Sequence, residues 1–151
     1  MRRFIYPLAF SLISLYSLDA LPAGSPREKQ YKGEILLNQV LDVNRNAADS
    51  QAYSKDGDIM LTDGNDVIKA RPEHGARVAF LPGRGEKECG MLGYGTLSSL
   101  EYPAGPAMLD KGGFACVAVK TNREGEFAAF VVNTAPNSGR YAYSMALYRK
   151  P

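Results

Sequence analysis

The sequence predicts an α+β domain in which one N-terminal amphipathic helix packs on a twisted antiparallel sheet of five to seven strands, with an all-β sandwich or barrel as the alternative. Three observations support this. From Glu34 to Ser50 the residues Ile35, Leu36, Leu37, Val40, Leu41, Val43, Ala47 and Ala48 recur at three- and four-residue spacing, the period of a helix. Beyond Gly57 the period falls to two, with short runs of β-branched and aromatic residues between turn clusters. A chain of 151 residues, 45% of them hydrophobic, has the size of one domain.

The elements follow in order. Met1, Arg2 and Arg3 precede an apolar run from Phe4 to Leu18, and small residues follow at Ala20, Ala23 and Gly24. A basic end that stays in the cytosol, an apolar core and small residues around the cleavage point make residues 1–20 a signal peptide, cut after Ala20. The core falls short of the roughly 20 apolar residues that span a bilayer, so the mature chain is expected to be secreted and extracellular, with no membrane association after cleavage. Residues 21–32, rich in Pro, Gly and charge, are expected to form a flexible leader, and residues 33–151 a single globular domain. Gly33 precedes the predicted helix, the Glu34 carboxylate complements its positive end, and its end falls between Ser50 and Ser54. Strands are predicted at Asp58–Thr62, Asp66–Ala70, Ala76–Leu81, Met91–Leu97, Phe114–Lys120, Glu126–Asn133 and Arg140–Arg149. Hairpin turns are expected at Asp63–Asn65, Asn122–Gly125 and Asn137–Gly139. In the last strand Tyr141, Tyr143, Met145 and Leu147 share one side, while Ala142, Ser144, Ala146 and Tyr148 share the other.

Charge and cysteine content narrow the function. The chain has 18 basic and 16 acidic residues, and loss of Arg2, Arg3 and Asp19 leaves 16 and 15, which argues against a nucleic-acid partner held by bulk phosphate attraction. Residues 71–151 are mildly basic, with 10 cationic and 7 anionic side chains. Two cysteines and one histidine are too few for a Cys/His zinc site, and no metal or cofactor is implied. Export places Cys89 and Cys116, 27 positions apart, in an oxidising compartment where they are expected to form a disulfide worth roughly 3–4 kcal/mol.

The densest polar cluster runs from Arg71 to Arg77. Glu73 as base, His74 as acid and Arg77 as phosphate clamp could carry phosphodiester transesterification. Against this, adjacent strand residues point to opposite faces, and the flanking Pro72 and Gly75 favour a solvated turn. The Gly-rich stretches Pro82–Lys87 and Gly90–Gly95 lack the spacing of a phosphate loop. Arg140, Tyr141, Tyr143, Tyr148 and Arg149 gather aromatic and cationic groups on one strand, a candidate recognition surface.

The leader ending Leu18-Asp19-Ala20-Leu21-Pro22, the short polar spacer Ala23–Gln30 and a single compact domain with Cys89 and Cys116 together resemble the small secreted effector proteins of plant-pathogenic fungi, including avirulence proteins. The resemblance implies delivery to host tissue, entry into host cells, and non-catalytic binding of a host protein that modulates host immunity. No functional residue is carried over, because the cysteine placement matches neither the ribonuclease-like nor the small β-sandwich effector group. Two alternatives stand beside this reading: a secreted ribonuclease-fold protein, and a bacterial periplasmic binding or inhibitor domain.

Overall fold

The computed structural model describes residues 27–43, 47–49 and 57–150. The signal peptide and the predicted end of the helix between Ser50 and Ser54 lie outside the described residues. Ten strands and two short helices are present among them: β1 (Arg27–Leu36), β2 (Val40–Asp42), β3 (Ala47–Asp49), β4 (Ile59–Gly64), β5 (Val67–Pro72), β6 (Arg77–Phe80), α1 (Glu86–Gly90), α2 (Tyr94–Ser99), β7 (Ala107–Asp110), β8 (Phe114–Lys120), β9 (Glu126–Asn133) and β10 (Arg140–Arg149). The strands form two five-stranded antiparallel sheets, here sheet A in the order β1-β10-β9-β8-β6 and sheet B in the order β3-β2-β4-β5-β7.

The expected α+β arrangement is therefore overturned: the protein is mostly β, and no long N-terminal helix packs on a sheet. Residues 34–36 end β1 and residues 40–42 form β2. Their helix-like spacing comes from two strand segments offset by a turn. Asn38 adopts φ 64° there, the Gln39 amide bonds the Leu36 carbonyl, and the Asn38 amide crosses to Leu61 of sheet B. Asparagine tolerates the left-handed region better than most residues, so the chain leaves sheet A and enters sheet B at this point. β1 also opens at Arg27, so residues 27–32 of the expected leader belong to the sheet. The predicted strand Met91–Leu97 is replaced by the end of α1 and by α2, which lie across sheet A instead of within it.

The sheets face each other over one core. Ile35, Val117, Phe130, Tyr143 and Leu147 of sheet A meet Leu41, Ile59, Leu61, Ile68 and Leu109 of sheet B. A second cluster lies on the outer face of sheet A, where Cys89, Leu92 and Leu97 cover Cys116, Ala118, Phe127 and Ala129. β8 and β9 are thus buried on both faces, and their residues read as continuous apolar runs without alternation. Two two-residue turns have both central residues at positive φ, His74–Gly75 where the chain passes from β5 of sheet B to β6 of sheet A, and Ser138–Gly139 before β10.

Asp58 ties the two sheets together. Its buried carboxylate accepts the Val43 amide at the end of β2 (2.9 Å) and the Asn122 amide in the β8–β9 loop (3.0 Å). Burial outweighs these bonds and raises its pKa from 3.8 to about 6. The folded state thus holds this proton more tightly than the unfolded chain does, and stability falls as pH rises across the interval from 3.8 to about 6. Acidification from pH 7 to 4 should add up to about 3 kcal/mol from this group, and the slope of melting temperature against pH should flatten in Asp58→Asn.

Gly33 of β1 sits opposite Tyr143 of β10. A Cβ at this position would lie 2.6 Å from the tyrosine Oη and 2.8 Å from Cζ. The ring is itself packed against Phe130 at 5.3 Å, so it cannot simply withdraw. Gly33→Ala should cost about 1–3 kcal/mol, read as a lower denaturant midpoint with an unchanged slope.

Candidate functional site

Sheet A carries a groove on its outer face because its helical cover is partial. α1 and α2 pack on β8 and β9, and the Cys89–Cys116 disulfide fastens α1 to the middle of β8 with Cα atoms 5.7 Å apart. Past α1 the outward residues of the sheet become small. Ala129 and Val131 of β9 and Ala142, Ser144 and Ala146 of β10 form a low floor, while the large side of β10 faces the core. β1 supplies one bank through Gln30, Lys32 and Glu34, and α1 supplies the other through Glu86, Lys87 and Gly90.

The main depression measures about 750 Å³ and continues into a second of about 400 Å³ that shares Lys32, Glu86, Val131 and Ser144 with it. The groove follows β10 from Tyr148 to Ala142, a run of about 20 Å at 3.3 Å per residue. An exposed apolar side chain stands near each end, Met91 at 74% exposure beyond α1 and Phe114 at 56% at the start of β8. Glu34 pairs with Arg140 at 3.6 Å, whereas Lys32, Glu86 and Lys87 have no ion-pair partner among the described residues.

The predicted recognition strand divides between roles. Tyr141 and Tyr143 are buried between the sheets, where burial raises the Tyr143 pKa. Tyr148 is buried on the outer face and closes one end of the groove. Arg140 and Arg149 stand at opposite ends of β10. Arg149 Nε lies 2.7 Å from Oε2 of buried Glu126, whose Oε1 accepts the Thr121 hydroxyl at 3.0 Å, so this guanidinium helps to hold the β8–β9 turn.

Glu73, His74 and Arg77 lie around the turn that leads from β5 to β6. The Glu73 amide bonds the Asp58 carbonyl, and its Oε1 is buried without a hydrogen bond, 4.0 Å from Arg71 Nε. His74 is exposed at φ 51° and its Nδ1 lies 2.9 Å from the Gly57 carbonyl, which can only accept, so the proton sits on Nδ1. Arg77 is exposed at the start of β6. No hydrogen bond or ion pair joins these three among the described residues. Nor does any group of three His, Cys, Asp or Glu side chains among them have the geometry to hold a metal ion.

No protein-family model, curated protein or solved structure matches the chain. Among the described residues no helix is long and apolar enough to cross a membrane.

The groove leaves little signal in the sequence because its floor is defined by small size. The alternation of Ala142, Ser144 and Ala146 with large residues is present in the sequence, but the aromatic side of the strand carries the stronger signal. Because the disulfide holds the α1 bank, Cys89→Ala/Cys116→Ala should lose about 3 kcal/mol. Hydrogen exchange should then quicken at the amides of Cys89 and Met91 while β10 keeps its protection.

Proposed function

We propose that the protein is a secreted, non-catalytic binding protein of effector type that holds an extended segment of a host protein in the groove on sheet A and so modulates host immunity. The observation that carries this reading is the groove itself, a trough along one strand with a floor of small side chains and charged banks. Its length and low floor suit a polypeptide in extended conformation, whose alternate side chains turn toward the sheet. Lys32 on one bank, and Glu86 and Lys87 on the other, offer charges of both signs to its polar side chains. The Cys89–Cys116 bond is compatible with export to an oxidising compartment.

The test expresses residues 21–151 in plant cells and follows the oxidative burst after an elicitor. The wild-type chain should lower the burst, and Ser144→Trp, which fills the floor from a half-buried position, should restore it without shifting the melting temperature. An unaltered burst, or equal suppression by Ser144→Trp, overturns the proposal. RNA cleavage by the purified protein that is lost in His74→Ala would favour the nuclease reading instead.

A further inference from the structure

Sheet A has one unusual edge. The other border strands are short, with β6 and β7 of four residues each and β3 of three. Short edges are a common protection against pairing with another chain. β1 is ten residues long, contains no proline, and has no strand beyond it among the described residues. Its one irregularity lies between Arg27 and Lys29, which leaves Gln30–Leu36 in regular register with β10.

The charges along this edge are self-complementary. Gln30, Lys32, Glu34 and Leu36 face outward toward the groove side, while Tyr31, Gly33 and Ile35 face the core. We propose that two copies of this chain pair antiparallel through β1, with Gly33 of each on the two-fold axis. In this register Lys32 of each copy stands directly opposite Glu34 of the other, twice by symmetry. Tyr31 stands opposite Ile35 in the same way, and Gln30 opposite Leu36.

The neighbouring registers that keep the faces matched are disfavoured. A slip by two residues in the sum of paired positions sets Lys32 against Lys32 in one direction and Glu34 against Glu34 in the other, and like charges directly opposite destabilise a strand pair. Gly33 suits the axis because it brings no side chain to meet its own copy there. The two-fold runs perpendicular to the sheet, so the outer faces become continuous across ten strands. The grooves of the two copies then meet at a shared bank formed by Lys32 and Glu34 of both. The inference rests on the edge strand and stands independently of what fills the groove.

Sedimentation equilibrium of residues 21–151 tests it. The wild-type chain should dimerise, and Lys32→Glu should raise the dissociation constant by about tenfold or more, because both opposed pairs become like-charged. Lys32→Glu/Glu34→Lys restores opposite charges and should return the constant to within about threefold of wild type. Unchanged melting of each variant under dilute conditions separates lost pairing from lost fold. A dimer indifferent to Lys32→Glu, a charge swap that fails to restore pairing, or a wild-type chain monomeric up to about 1 mM overturns the proposal.

Discussion

The disulfide between Cys89 and Cys116 joins a five-residue helix to the centre of a strand that is buried on both faces. A helix of one turn has no stability of its own, and α1 also lacks a side-chain cap at Gly85. Its position depends on the covalent tie and on the cluster beneath it. Leu92 and Leu97 extend that cluster, and Tyr94 meets the Phe127 ring edge-on at 5.5 Å. The cover ends over β9, and from there the outer face of sheet A is open. The same bond that completes the second core therefore sets one bank of the groove.

Where strands are regular and bounded by turn residues, the sequence is a good guide to the fold. β9 runs from Glu126 to Asn133, as its apolar run and flanking turns predict, and β10 from Arg140 to Arg149, as its alternation predicts. The helix reading at Glu34–Ser50 fails for a physical reason. Apolar residues in two strands on different sheets mimic a period of 3.6 when a three-residue turn separates them, and only Asn38 marks the break. α1 and α2 escape a pattern search because each exposes most of its surface and is held by a few contacts with β8 and β9. β7, with four residues after a Pro- and Gly-rich loop, is too short to show alternation. Of the residues singled out by charge and aromaticity, Tyr148 lines the main depression and Tyr143 the second.

Much of the conspicuous polar chemistry in the sequence is engaged in holding the fold. Asp58 bridges the sheets through two backbone amides, and Glu126 with Thr121 and Arg149 secures the turn that Asp58 also reaches. Lys111 pairs with Asp63 at 2.9 Å and bonds the Asn65 carbonyl, closing the loop after β7 onto the β4–β5 hairpin. The ammonium beside it holds the Asp63 carboxyl below its usual range. Thr134 accepts the Gly113 amide and donates to the Asp110 carbonyl, fixing the start of β8. His74 occupies a position that requires positive φ, where histidine is among the tolerated residues. Its Nδ1 lies 2.9 Å from the Gly57 carbonyl, a contact that ties the turn to the start of the β4 segment.

The groove and the edge strand share Lys32 and Glu34, and this couples them. If two β1 strands pair as proposed, Lys32 of each copy would meet Glu34 of the other, which also pairs with Arg140 at 3.6 Å, and the shared bank would lose much of its electrostatic preference. Glu86 and Lys87 on α1 then remain the unpaired charges that face an occupant. Selection of one polypeptide segment over another would pass to the helix that the disulfide holds in place. A monomer would instead present Lys32 as an additional cation and favour more acidic segments. If both proposals hold, Lys32 would link the pairing of two copies to the charge of the segment that the groove prefers.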